Sequence, residues 1–165
     1  MKNTRNFSFR FLPARTCRAE ILASVYGKEE QPHQLLRLKS LLRNPGAERL
    51  YFVLARDNTM NVALLQLCRE RRNRCCFRIR GLHTHPRFRN RSLASRLLQL
   101  ACKCVSEFKE GEEIFSFILP TNRPSLAAHG HAGFFPASMR ALKPERHLCL
   151  VWSKSGTEVS PRHEE

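Results

Sequence analysis

The segment Leu82-His83-Thr84-His85-Pro86-Arg87-Phe88-Arg89-Asn90-Arg91-Ser92-Leu93-Ala94-Ser95-Arg96-Leu97-Leu98 contains a change of hydrophobic period, and the fold follows from it. Upstream, Cys75 to Thr84 places Phe77 and Ile79 on one face and Arg78 and Arg80 on the other, the two-residue period of a strand. Pro86 ends that strand. From Ser92 to about Phe108, the residues Ala94, Leu97, Leu98, Ala101, Cys104, Val105 and Phe108 recur at steps of three and four, which predicts a helix that stops at Gly111. Ile114 to Leu119 then alternates Ile114, Ser116 and Ile118 with Phe115, Phe117 and Leu119, and reads as a strand buried on both faces. A strand, a helix and a second strand in this order imply a parallel crossover.

Toward the amino terminus, Phe7, Phe9 and Phe11 alternate with Ser8 and Arg10 as a strand, and Pro13 ends it. Thr16 fits the N-cap of a helix from Cys17 to about Tyr26 that Gly27 closes. Pro32 suits the first turn of a second helix with Leu35, Leu36, Leu38, Leu41 and Leu42 as its stripe, stopped by Asn44-Pro45-Gly46. Leu50 to Ala55 and Asn61 to Cys68 form a hairpin about Asp57-Asn58, and Arg69 to Arg74 is the next turn. Toward the carboxyl terminus, Pro120-Thr121-Asn122 opens a short helix from Arg123 to about His131 that Gly133 ends, and Leu148 to Trp152 is a last strand. The expected architecture is α+β: a mixed central sheet, made of an antiparallel meander plus a parallel βαβ crossover, flanked by helices. One domain over residues 1–153 and a polar tail over 154–165 are expected.

The chain has 165 residues, the size of one domain, and 42% are hydrophobic, enough for a core. Lys and Arg number 29 against 14 Asp and Glu, a formal charge of +15 that favours anionic partners: nucleic acid, an anionic membrane surface or a phosphorylated cofactor. No run approaches the about 20 apolar residues of a membrane span. Met1 to Arg10 is polar and basic, so no secretory leader is expected there. The seven cysteines follow neither a disulfide framework nor a Cys-x-x-Cys zinc pattern, and read as small apolar side chains in a reducing, cytoplasmic setting. His129-x-His131 offers two ligands and no third, so no metal is expected.

The strand-to-helix junction carries the chemistry. A helix's first turn presents unpaired N–H groups and the positive end of its dipole, which together hold phosphate. Arg89 and Arg91 add guanidinium forks suited to phosphate oxygens, and the small Ser92 and Ala94 let a ligand approach the backbone. Here the chain resembles the GNAT superfamily of acyl-CoA-dependent N-acyltransferases. That family's pyrophosphate motif is Gln/Arg-x-x-Gly-x-Gly/Ala with a proline three residues ahead; this chain has Arg89-Asn90-Arg91-Ser92-Leu93-Ala94, preceded by Pro86. Ser92 replaces the usual glycine and Asn90 a less strict one; asparagine tolerates left-handed angles, and serine can cap the helix through its hydroxyl.

A second resemblance lies downstream, where the family runs Asn-x-x-Ala, Tyr four residues on, then Gly-Phe. This chain has Asn122-Arg123-Pro124-Ser125, His129 and Gly133-Phe134 at the same spacing. The resemblance covers about Phe7 to Lys154. It implies acetyl-CoA or coenzyme A as cofactor, with backbone groups at Leu82, His83 and Thr84 holding pantetheine and polarising the thioester, Arg89 to Ala94 (including Asn90, Arg91, Ser92 and Leu93) holding pyrophosphate, and Asn122 and Ser125 near the pantetheine. His129 then stands where the family's tyrosine protonates the departing thiolate, a task within reach of an imidazole. Arg78 and Arg80 occupy the strand on which the family often places a glutamate base, so the base is His83 or His85, a choice the sequence leaves open.

The function implied is direct transfer of an acyl group, acetyl foremost, from acyl-CoA to an amine acceptor, with acidic acceptors favoured by the charge. The competing reading is a GNAT-fold binding module with weakened catalysis that contacts nucleic acid or a ribonucleoprotein through residues 69 to 80. The cluster of Arg69, Arg71, Arg72 and Arg74 reads equally as an exposed turn or a binding patch. The carboxy-terminal strand leaves a homodimer open.

Overall fold

A computed structural model describes residues 6–71, 73–109, 111–137 and 147–155. Of the expected tail, residues 156–165 lie outside the described residues, as do residues 1–5 and Arg72. Seven strands form one sheet in the order β1-β2-β3-β4-β5-β7-β6, with β1 Ser8–Pro13, β2 Leu50–Arg56, β3 Asn61–Arg69, β4 Cys76–Thr84, β5 Glu113–Ile118, β6 Phe135–Pro136 and β7 Leu148–Ser153. The β4–β5 pair is parallel and every other pair antiparallel, so the mixed sheet expected from the period change is the one formed.

Among the described residues four α-helices flank it: α1 Ala19–Ala23, α2 Gln31–Arg43, α3 Leu93–Glu107 and α4 Arg123–His131. Adjacent residues of β3 point into different cores because side chains alternate across a strand. Leu65 and Leu67 pack with Leu93, Leu97, Leu98, Ala101 and Val105 of α3, whereas Leu64 packs with Leu22 and Leu38 of α1 and α2. The result is a three-layer domain with α3 behind the sheet and α1 and α2 in front.

The first helix is shorter than its apolar pattern. Thr16 belongs to a single 3₁₀ turn, Ala14–Thr16, and its hydroxyl donates to Pro13 O at 2.8 Å instead of capping α1. The helix starts after Arg18, which supplies no side-chain cap, and closes at Ser24 rather than Gly27. Beyond it, turns such as Tyr26 N to Ala23 O (3.1 Å) bury Val25 and Tyr26 without helix. Asn61 of β3 fastens this corner by donating to Ile21 O at 3.0 Å and Ser24 Oγ at 3.1 Å.

β5 is covered on one face and not on two. Ile114, Ser116 and Ile118 are buried, but Phe117 on the opposite face is 36% exposed. The reason is the limited reach of the front helices, whose apolar contacts fall on β1, β2 and β3. β4 carries a bulge: Leu67 pairs with Ile79 and Gln66 with Gly81, which leaves Arg80 without a partner on β3. The two-residue β6 had no period to announce it. Gly111 matters for space, because a Cβ there would collide with Val105 O at the end of α3.

Candidate active site

β4 and β5 are paired only where Cys76, Phe77 and Arg78 meet Glu113, Ile114 and Phe115. Beyond Arg78 the two strands part, while β4 runs on to Thr84 and β5 to Ile118. A parted edge exposes backbone N–H and C=O groups that have no strand to bond. The gap opens into a cavity of about 640 Å³ walled by the end of β4, the loop into α3 and the first turns of α4. Volumes of that size suit small-molecule ligands.

The expected cofactor residues converge on this one cavity: Leu82, His83 and Thr84 from β4, Arg89, Asn90, Arg91, Ser92, Leu93 and Ala94 from the loop, and Asn122 and Ser125 from α4. The loop is anchored by Phe88, which is buried, meets Phe7 edge-on at 6.4 Å and lies under the Arg91 guanidinium at 5.5 Å. Asn90 and Ser92 both adopt left-handed backbone angles, with φ of 60° and 56°. Ser92 therefore holds the conformation of the glycine it replaces, and its hydroxyl does not cap α3. The geometry rules out the usual serine cap, which needs an extended backbone at that residue. The first bond into α3 runs from Arg96 N to Ser92 O at 3.1 Å, so Leu93, Ala94 and Ser95 have no intrahelical acceptor for their N–H groups. Among the described residues no carboxylate pairs with Arg89 or Arg91. Unpaired N–H groups, a helix dipole and two uncompensated guanidiniums make a strong anion site.

On α4, Asn122 Oδ1 accepts from Ser125 N at 3.2 Å, so Asn122 is the helix cap as well as part of the wall. Pro124, Ala127, Ala128 and His131 also line the cavity. Their spacing of three, four and seven is one face of a helix, a signal present in the sequence and not used there. His131 O accepts from Gln99 Nε2 at 3.3 Å, tying α4 to α3.

The histidines separate clearly. His83 lines the cavity. Its ring stacks on Tyr26 with centroids 4.3 Å apart, and its Nε2 is buried with no hydrogen-bond partner. Burial, with smaller contributions from Arg89 and His85, pushes its pKa below the usual histidine value against an opposing pull from Glu30. A neutral imidazole carries a lone pair able to take a proton. His85 is absent from the wall; its Nδ1 accepts from Arg87 N at 3.3 Å and caps the 3₁₀ turn Pro86–Phe88. His129 is also absent from the wall and only 1% exposed. Its Nδ1 lies 2.8 Å from Ser125 O, and since a carbonyl only accepts, that nitrogen carries the hydrogen. Burial lowers its pKa more than the Ser125 bond raises it, so the ring is neutral with a bare, buried Nε2. In this form His129 has no proton to give at Nε2, and the expected delivery of a proton to the cavity is not what this geometry favours.

No cysteine lines the cavity. Burial pushes Cys76 and Cys102 up to about 12, Cys76 being further raised by Glu113. All seven cysteines are free. Among the described residues no cluster suits a metal ion, and no helix is long and apolar enough to cross a membrane.

A profile of the acetyltransferase (GNAT) family matches residues 16–134. No curated protein matches the chain. Its fold is similar to that of a putative GNAT acetyltransferase from Desulfovibrio desulfuricans, at TM-score 0.65 and 13% identity over 90% of this chain and 99% of that one. It is also similar to aminoglycoside acetyltransferase AAC(6')-Ib in complex with coenzyme A and kanamycin, at 0.68 and 12% over 92% and 96%. A third similar structure is Campylobacter jejuni N-acetyltransferase PseH in complex with acetyl coenzyme A, at 0.63 and 10% over 89% and 99%.

Proposed function

The chain belongs to the GNAT acetyltransferase family, and from that premise we propose that it moves an acetyl group from acetyl-CoA to the amine of an acceptor by direct transfer. The observation that carries the reading is the meeting, in one cavity, of the parted β4 edge and the left-handed loop Arg89–Ala94. When bound, acetyl-CoA supplies an acetyl group activated as a thioester. Arg89, Arg91 and the N–H groups at the start of α3 bind the pyrophosphate. The backbone of Leu82 to Thr84 holds the pantetheine and offers an N–H to the developing oxyanion. Asn122 and Ser125 line the same arm from α4.

His83 takes the proton of the attacking amine, either at once or through a water, because burial keeps it neutral; as the C–N bond forms the C–S bond breaks, and CoA leaves as a thiolate that takes its proton from water in the open cleft. An acyl-enzyme route is disfavoured, since the cavity lacks a cysteine and the most deeply buried thiols are held protonated. His129 is buried off the cavity wall, and we assign it to holding the first turns of α4 through its bond to Ser125 O. The +15 charge favours an acceptor amine carried on an acidic molecule. Charge reversal at Arg78 or Arg80 is then expected to reduce turnover of an acidic acceptor; unchanged turnover removes those arginines from the acceptor's path. Seven free thiols fit a reducing compartment, and we place the protein in the cytoplasm.

Calorimetric titration with acetyl-CoA and CoA, beside an Arg89→Glu/Ser92→Asp variant, tests the cofactor site. Micromolar binding by the parent and none by the folded variant is the expected result. No binding of either ligand by the parent overturns the acetyl-CoA reading.

A further inference from the structure

A second cavity of about 410 Å³ lies in front of the sheet, between the end of α2 and the β3–β4 turn, and shares no wall residue with the first. Four arginines line it: Arg49, Arg69, Arg71 and Arg80. Two of them converge over Gly46, where a Cβ would stand 3.0 Å from Arg49 Nη2 and 4.0 Å from Arg71 Nη2. Arg80 is the bulged residue of β4, and the bulge leaves it exposed beside this cavity. Among the described residues no carboxylate pairs with Arg49, Arg71 or Arg80. Glu70 is the lone acid on the wall, and it reaches across to Arg78 at 4.0 Å. Like charges gathered in one concavity repel until a counter-charge enters, and guanidinium forks match phosphate.

A third cavity, of about 320 Å³, meets the second at Glu70 and is lined by Arg78, Phe115 and Phe117. The Arg78 guanidinium lies 4.6 Å from the Phe117 ring centroid, and Phe117 is 36% exposed. The front helices, which pack on β1 to β3, leave this stretch of β5 open. Phosphate-seeking arginines beside a part-exposed aromatic ring with a guanidinium over one face form a combination with a specific ligand chemistry. Arginines hold a nucleic-acid backbone, and an exposed ring stacks bases that are free of a duplex.

We propose that this face binds single-stranded nucleic acid, its phosphates on Arg49, Arg71 and Arg80 and an unpaired base on Phe117. The face shares no wall residue with the acyl-transfer cavity; Arg78 and Arg80 are also the arginines an acidic acceptor would meet, and nucleic-acid binding there does not depend on acetyl transfer. It also uses the overall charge of +15, which steers polyanions toward the molecule from any direction and makes a local test necessary.

Fluorescence anisotropy on the full chain tests it, with labelled 12-mers of uridylate and thymidylate and a 12-base-pair duplex at several salt concentrations. The variants are Arg71→Gln/Arg80→Gln, Phe117→Ala, and the charge-matched Lys103→Gln/Lys109→Gln, whose exposed lysines lie on α3 and just past its end, behind the sheet. All alter exposed side chains, and thermal melts confirm folding. Single strands are expected to bind about 10-fold more tightly than duplex, because only they offer a free base face. The arginine pair is expected to weaken binding about 10-fold and flatten the log–log salt slope by about 1.4, the effect of two lost phosphate contacts on a single strand. Phe117→Ala is expected to weaken single-strand binding by about 5-fold or more with the slope intact. The uridylate and thymidylate arms identify whether RNA or DNA is preferred, and either preference upholds a single-strand site. Equal losses for the lysine and arginine pairs, duplex binding as tight as single strands, or an unaffected Phe117→Ala each overturn it. So does competition by a poly-glutamate peptide as strong as that by RNA, which assigns the face to an acidic protein.

Discussion

His83 at the end of β4 lies against Tyr26, the ring centroids 4.3 Å apart and the planes 29° from parallel. The contact joins the turn after α1 to the wall of the cleft. It also shields an imidazole whose Nε2 has no partner, and that shielding sets when the ring holds a proton.

Because burial lowers the His83 pKa, acetyl transfer with His83 as base is expected to hold through neutral pH and to fall only on acidification past the ordinary histidine pKa. His83→Gln is expected to lower kcat about 100-fold, a typical general-base contribution, and to erase that acid limb while CoA still binds. Tyr26→Ala uncovers the ring, so its pKa rises and the acid limb moves to higher pH. Rate–pH profiles of the three proteins check both statements. An acid limb unchanged in His83→Gln removes His83 as the base.

Ser92 occupies the left-handed region without being glycine. Ser92→Gly is expected to stabilise the protein by about 1 kcal/mol, the usual penalty for an L-residue there. The relaxed loop keeps or improves its grip on CoA. Ser92→Val acts in the opposite direction, since a branched Cβ aggravates the same clash. Thermal melts with and without CoA measure both changes.

His129 is buried and neutral, with its pKa lowered mainly by burial. The unfolded chain has an ordinary histidine, about 6.5, and so takes up a proton first as pH falls. Stability is thus fully present above that value and is lost as pH drops toward the folded pKa, at up to about 1.4 kcal/mol per pH unit for one proton. His129→Phe is expected to flatten stability as pH falls from about 6.5, ahead of the range where ordinary carboxylates titrate. Urea melts across that window decide it.

Gly111 closes the turn after α3 where a Cβ would meet Val105 O. Gly111→Ala is expected to lower the melting temperature by several degrees, consistent with a loss of about 1–3 kcal/mol for an overpacked site. CoA affinity at low temperature should be unchanged, since Gly111 lies outside the cavity. Calorimetric melting and titration separate the two effects.

The parts of the fold written in local chemistry were legible in the sequence. Pro86, the period change at Ser92 and the turn Pro120-Thr121-Asn122 all mark positions where local chemistry dictates backbone behaviour, and the elements begin and end near them. The cleft was legible for the same reason, because its walls are two consecutive chain segments and a helix start. What failed was set by packing between distant segments. β5 has an apolar pattern on both faces, but only coverage decides burial, and no helix reaches Phe117. His129 is fixed on α4 by spacing, yet whether it faces the cleft depends on how α4 rolls against its neighbours. His131 and Ala128 could have been found by continuing the helix face from Pro124. His83 and His85 are equal in sequence and differ in the structure only because Tyr26 covers one while the 3₁₀ turn engages the other.

The short parallel contact between β4 and β5 makes the sheet two panels joined at one corner. Three rungs at Cys76 to Arg78, with Glu112 N and Glu113 N donating to Cys75 O, carry the seam, and among the described residues no strand pairing ties the panels together past Arg78. A molecule lying in the seam becomes its missing rungs, so the panel of β5, β6 and β7 should breathe in the free protein and quieten when the seam is filled. Amide hydrogen exchange would register this first in the amides of β4 beyond Arg78 and of β5 beyond Phe115, before any change in the meander that α3 already clamps.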